Sequence, residues 1–298
     1  MTALIDMLSY PFMHNALIVA VAMAIAAGLV SCLLIMVGWS LLGDAISHAL
    51  LPGVVVAYIA GLPYAVGAFV ASLIAVGVVN GLKTRTTLRE DTTIGIVFTA
   101  FFALGLVLIS RTPGTGHLEE ILFGNLLGIS ESVKWQVVGF GAAAVALILF
   151  GRRALRMWAF DPLHAAMAGF PVRVVRWILL TALVFVVVSA AQAVGAILVV
   201  AMLVTPGATA YLLTRRFGVM LVLAPSIAVV CSVAGLLGSV GLNVSPGGGI
   251  ILLQFMVFIL VWLFAPREGV LVRRIGARGK ALKGTTPRAA KTEEAPQA

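Results

Sequence analysis

Asp44 and His48 are the residues of this chain best suited to chemistry. They stand four apart in Asp44-Ala45-Ile46-Ser47-His48, within Gly43 to Gly61, an otherwise apolar stretch long enough to span a bilayer. Side chains four apart on a helix share a face, so a carboxylate oxygen and an imidazole nitrogen aim at one point. An ionised carboxylate at membrane depth is costly unless something pairs with it. Together the two groups make half of a binding site for a divalent transition metal. The plainer alternative is that they pair with each other or cap a helix start near the interface. Pro52 lies four residues beyond His48 and has no N–H to give to its carbonyl. A bend near the histidine and a freed oxygen, available to a metal or a water, are expected there.

The remaining composition says where this pair resides. Hydrophobic residues make up 61% of the chain, charged residues only 10%, and the mean hydropathy is +1.13. A soluble domain carries about 25% charged residues, so the fold class expected is all-α, a polytopic membrane helical bundle. Cys32 and Cys231 sit inside apolar runs without CxxC spacing, which argues against a disulfide framework or a thiolate metal site. The net charge of +9 reports membrane orientation rather than a nucleic-acid partner.

At roughly 20 apolar residues per crossing, spans fall near 15–37, 40–61, 64–82, 92–110, 133–150, 176–192, 195–214, 219–240 and 250–265. Residues 177–213 are apolar for too long to be one crossing, and the plausible break is Gln192 to Gly195. A count of eight, with part of this run re-entrant or one long tilted helix, is the alternative. Lys and Arg gather at Lys83, Arg85 and Arg89, in Arg152 to Arg176, at Arg215 and Arg216, and after Arg267. Nine alternating spans place every one of these clusters in the cytoplasm and the N-terminus outside. Residues 1–14 are then an extracytoplasmic segment, 15–265 the transmembrane domain, and 266–298 a basic tail of disordered composition. No removable signal peptide is expected. Asp44 and His48 lie about 6 Å and about 12 Å in from the cytoplasmic face.

Three further stretches carry signals. In Trp158 to Pro171, Asp161 followed by Pro162 reads as an N-cap with proline at the first helical position, and Gly169 as the stop. A short helix, apolar at Leu163, Ala166, Met167 and Phe170, would suit a groove on a partner or pack on its own bundle. His164 alone is weak as a metal ligand. The loop with His117, Glu119 and Glu120, near Glu131, could gather cations at the outer face or be a solvated loop. Glycine and proline punctuation around Pro206 and Pro246, like Pro52, marks helix breaks or gating points, or else close packing through small residues. The chain has no GxxxxGK[ST] phosphate loop, HExxH, GxSxG or strand-borne GxGxxG. It is not expected to be an enzyme, and any ATP hydrolysis must come from another subunit.

Gly43-Asp44-Ala45-Ile46-Ser47-His48-Ala49-Leu50-Leu51-Pro52-Gly53, Glu90-Asp91-Thr92-Thr93-Ile94-Gly95-Ile96, Ile121-Leu122-Phe123-Gly124-Asn125, Phe160-Asp161-Pro162, and Val194 to Val200 followed by Thr205-Pro206 occur in this order. Across about 15–265 the chain resembles the permease subunits of bacterial manganese, zinc and iron ABC importers. The resemblance implies a type II importer permease in the cytoplasmic (inner) membrane. It also implies a second permease protomer, identical or not, two cytoplasmic ATPase subunits and an extracytoplasmic metal-binding protein, besides membrane lipid. Asp44 and His48 fall on the family's intramembrane metal ligands. Phe160, Asp161, Pro162, Leu163, Met167 and Gly169 fall on its ATPase-coupling helix. Two positions depart from the pattern: Glu120 replaces a histidine frequent before Ile-Leu-Phe-Gly-Asn, and Asn243 replaces an acidic residue before the turn at Pro246. These changes bear on the outer gate and on selectivity.

The mechanism that follows is alternating access, with no permanently bound cofactor and a manganese, iron or zinc ion as cargo. The absence of a thiolate and the single membrane histidine favour manganese or iron, although zinc binds such ligands most tightly. The rival is a proton-coupled secondary cation carrier using Asp44 and His48 as a proton relay. A membrane-embedded enzyme would need another acidic residue at depth, which the spans do not offer.

Overall fold

Inside a bilayer each segment must satisfy its own backbone N–H and C=O groups, and the chain does so entirely through helices among the described residues. The structure, a computed structural model, describes residues 10–112 and 126–265. The helices are α1 (Pro11–Val37), α2 (Ser40–Ala49), α3 (Leu51–Ala60), α4 (Tyr64–Arg85) and α5 (Glu90–Arg111). A 3₁₀ turn at Leu126–Gly128 precedes α6 (Glu131–Phe160), α7 (Pro162–Met167), α8 (Val172–Val194), α9 (Ala196–Leu213), α10 (Phe217–Gly241) and α11 (Pro246–Phe264). With α2 and α3 taken as one unit, 8 helices are long and apolar enough to cross a membrane. α9 adds an apolar helix of 18 residues, about 27 Å long. The described residues thus match the expected eight to nine spans. The expected basic tail and the loop holding His117, Glu119 and Glu120 lie outside the described residues.

The long apolar run divides where a break was expected. Gly195, with φ 81° and ψ 161°, separates α8 from α9. That backbone conformation is one a side chain resists, so the run is two helices and not one long tilted one. α6, in contrast, does not stop near 150 but continues to Phe160, because Leu155 and Trp158 keep a buried face on its last turns.

α1 is the core of the bundle, packing on α6, α8, α9 and α10. In its most apolar window 72% of residues are buried, against 22% for α5 and 11% for α11, which form the periphery. α9 is enclosed by α1, α2, α8, α10 and α11.

Of the three prolines expected to break or gate helices, only Pro52 accompanies an interruption. α2 and α3 part at Leu50, whose φ of −71° and ψ of −20° stay near helical, so the chain bends without turning away. Pro206 lies inside α9, which continues through it. Ser31 of α1 makes polar contacts on either side of that proline: its Oγ accepts the Gly207 N–H at 2.9 Å and donates to the Val204 carbonyl at 3.4 Å. Pro246 opens α11 and breaks nothing, since a helix-initial N–H has no intrahelical acceptor to lose. A fourth proline, Pro225, sits within α10 with its backbone against Gly28 of α1.

The closest crossing in this region follows Pro52. A Cβ on Gly53 would fall 2.0 Å from the Gly67 carbonyl oxygen, and one on Gly67 would fall 2.1 Å from that of Gly53. α3 and α4 therefore meet backbone to backbone, as membrane helices do through small residues. Gly53→Ala is expected to force them apart, destabilising by about 1–3 kcal/mol or more. Gly81→Ala, in open space on α4, should be neutral. Thermal melting of the purified protein, followed by size-exclusion fluorescence, separates the two; equal melting temperatures would mean that the crossing is loose.

Candidate functional site

α2 is amphipathic in an unusual sense, apolar toward its own bundle and polar on the other side. Leu42, Ile46 and Ala49 are buried against Val76 and Val79 of α4 and Ile94 and Val97 of α5. Gly43 seats the helix on Leu203 of α9, where a Cβ would fall 2.8 Å from the leucine Cδ1. The opposite face presents Asp44 and His48, with His48 Nε2 3.5 Å from Asp44 Oδ1. Their side chains are 44% and 31% exposed respectively, so the pair opens outward from this chain. Ser47 is turned away, its hydroxyl donating to the Asp44 backbone carbonyl at 2.7 Å.

Two phenylalanines of α5 hold the imidazole. Phe98 and Phe102 lie 5.1 Å and 5.4 Å from its centroid, the second edge to face. Nδ1 is buried without a hydrogen-bond partner, so ring packing and not a hydrogen bond at Nδ1 orients the histidine. Nε2 faces Asp44 and the open side. No third His, Cys, Asp or Glu joins the pair among the described residues. One chain therefore offers a divalent ion one carboxylate and one imidazole, fewer ligands than such an ion takes.

At the basic end a second constellation fixes the start of α2. Glu90, the first residue of α5, pairs with Lys83 of α4 and with Arg176 of α8, the latter at 3.2 Å. The Arg176 guanidinium lies over the Trp39 ring, 5.1 Å from its centroid, and Trp39 is the residue that precedes α2. Trp39 in turn meets Trp158 of α6 at 5.4 Å, edge to face. Both tryptophans are buried. Sequence reasoning does not assign these roles, because nothing in the spacing of Glu90 or Trp158 signals contacts across so much chain.

Trp158 stands three residues before Asp161, where α7 begins. Asp161 Oδ1 accepts the N–H groups of Leu163 at 2.9 Å and His164 at 3.0 Å, the expected N-cap, with Pro162 opening the helix. The chain reverses at Gly169, φ 82°, as the sequence suggested. Ala165 is buried on the bundle, whereas Leu163 and Met167 are 71% and 78% exposed, and Phe160 is exposed beside them. Of the acidic residues considered for the outer face, Glu131 is engaged locally: Lys134 donates to its Oε1 at 2.6 Å and to Asn15 Oδ1 at 3.0 Å.

Comparison with known proteins places this arrangement in context. Residues 9–265 match the model of the ABC 3 transport family. The chain is 43% identical to the manganese transport system membrane protein MntC of Halalkalibacterium halodurans, over 94% of this chain and 97% of that one. It is 42% identical to a probable iron transport system membrane protein of Haemophilus influenzae, over 88% and 97%. Among solved structures, PsaBC from Streptococcus pneumoniae in complex with Fab superposes with a TM-score of 0.83 at 38% identity, covering 93% of this chain and 100% of the other.

Removing the carboxylate at the hub tests the basic-end constellation. Glu90→Gln would leave Lys83 and Arg176 facing one another without an anion. Glu90 is partly buried, so a loss of about 1–3 kcal/mol is expected, between the near-zero of an exposed pair and the larger value of a buried one. Asp91→Asn, at an exposed neighbour, should leave the melting temperature unchanged. Matching melts for the two variants would show that the ion pairs contribute nothing.

Proposed function

The chain belongs to the ABC 3 transport family, and we propose that it is the permease subunit of an ATP-driven importer of a divalent transition metal in a bacterial cytoplasmic membrane. The names of its relatives favour manganese or iron as cargo over zinc. The observation that carries the reading is the outward-facing Asp44 and His48 pair, which has no third ligand among the described residues. A second protomer applied to this face of α2 would bring another carboxylate and imidazole, completing four ligands of the kind manganese and ferrous iron accept. A homodimer is the simplest such assembly.

Each ligand has a distinct task. Asp44 supplies the charge that compensates the ion's lost water, and a neutral His48 biases the site toward transition metals over magnesium and calcium. Because His48 is held by ring packing and Asp44 is half-exposed, small movements of α2 against its partner would open the site and release the ion, as transport requires. ATP binding by separate subunits would drive that movement. α7 presents Leu163 and Met167 to them, and Phe160 adds to the apolar surface. The buried Trp158 and Trp39 then link the base of α7 to the start of α2, giving displacement of α7 a direct mechanical route to the metal ligands. An extracytoplasmic metal-binding protein would deliver the ion to the opposite face.

Proteoliposomes holding the permease with its ATPase and receptor test this directly. Uptake of manganese or iron that requires ATP, and that falls at least tenfold in both Asp44→Ala and His48→Ala with the complex still assembled, is expected. Uptake that ignores ATP and follows a proton gradient would favour the secondary-carrier reading. At the coupling surface, Leu163→Asp and Met167→Asp should abolish co-purification of the ATPase while leaving the permease monodisperse. Undiminished co-purification would remove α7 from that role.

A further inference from the structure

α6 and α10 pack on α1 from two sides, and toward the basic end they leave a cleft of about 480 Å³ floored by Leu29. Arg152, Arg153 and Arg156 of α6 form one wall, and Gly218 and Leu221 from the first turns of α10 form the other. All three arginines are exposed, and none makes an ion pair or hydrogen bond with another described residue. Arg156 stands four residues from Arg152 and three from Arg153, spacings at which like charges on a helix oppose each other. Nothing acidic lines the cleft. A Cβ on Gly218 would meet nothing within 4 Å, so the backbone there is accessible, and the first N–H groups of a helix have no intrahelical acceptor. Three guanidinium groups and a helix start thus converge on one space, the signature of an anion site.

The space continues into the membrane. Leu149 and Arg152 belong both to the cleft and to an apolar groove of about 780 Å³ between α1 and α6. Small residues, Ala22, Gly141, Ala142 and Ala146, open this groove. From Val138 to Arg152 it runs about 21 Å along α6, enough for an acyl chain of one leaflet, whose half-thickness is about 15 Å. A free phosphate would use the arginines but not the groove, and a lipid without net charge would use the groove but not the arginines.

We propose that this groove is a specific site for an anionic phospholipid, its phosphate among Arg152, Arg153 and Arg156 and one acyl chain along α1 and α6. The site is independent of the transported cargo and of whether transport is driven by ATP. A bound lipid here would brace the last turns of α6, which lead into α7.

Native mass spectrometry and thermal melting of the purified full-length chain, titrated with phosphatidylglycerol, phosphatidylcholine or inorganic phosphate, test the site. Phosphatidylglycerol is expected to be retained and to raise the melting temperature, the other two not. At about fivefold per arginine, R152Q/R153Q/R156Q should lower phosphatidylglycerol retention on the order of a hundredfold and leave phosphatidylcholine unchanged. Ala142→Phe fills the groove without altering any charge and should also lower retention, which gives a readout if the triple variant does not fold. Equal retention of the two lipids, or retention unaltered in either variant, overturns the proposal. Unaltered lipid retention combined with lost co-purification of an ATPase would reassign the arginines to a protein contact.

Discussion

An ionised carboxylate near the interior of a bilayer persists only where neighbouring groups share its charge. Asp44 has His48 at 3.5 Å and no third side-chain ligand among the described residues. The surrounding helices hold this pair in place without enclosing it. Leu42, Ile46 and Ala49 anchor α2 from the bundle side, Gly43 rests on α9, and Phe98 and Phe102 grip the imidazole. The charged face is thereby left outward. The pair is thus open on one side of the chain, and the helices flanking it fix where that side lies.

The bundle also carries prolines within its helices. A proline inside a helix removes one hydrogen bond, and the helix around it either continues or yields. Ser31 of α1 bonds Gly207 and Val204 on either side of Pro206, and α9 stays continuous in the centre of the fold. At Pro52 the chain instead yields, and the interruption at Leu50 is braced by the contact of Gly53 with Gly67. One residue type thus has two outcomes, a continuous helix at Pro206 and an interrupted one at Pro52.

The basic end has a different logic, because water is near and charges are affordable there only in combination with packing. Glu90 gathers Lys83 and Arg176 from two helices, and the planar guanidinium of Arg176 lies over Trp39, a contact a lysine could not reproduce. Through Trp158 this cluster joins the end of α6 to the start of α2. Helices that would otherwise slide independently are tied at one point, between the exposed short helix α7 and the face that carries Asp44 and His48.

Much of this was legible from residue order, since helix periodicity, capping and membrane thickness are local rules. The spacing of Asp44 and His48 put them on one face, Asp161-Pro162 and Gly169 defined α7, and Gly195 was the place for the long apolar run to divide. What residue order could not determine depends on which helices become neighbours. It read Pro206 and Pro246 as breaks or gating points, or else as close packing, and could not know that α9 would run on through Pro206 or that Pro246 would open its helix. It passed over Trp39, Arg176 and Glu90 as a unit because their partnership joins the start of α2 to α8 and α5. Nor could it reveal that Asp44 and His48 point out of their own bundle, a property of the packing around α2 rather than of α2 itself. A single segment encodes its own helix and its polar face, but only the assembled bundle decides what that face meets.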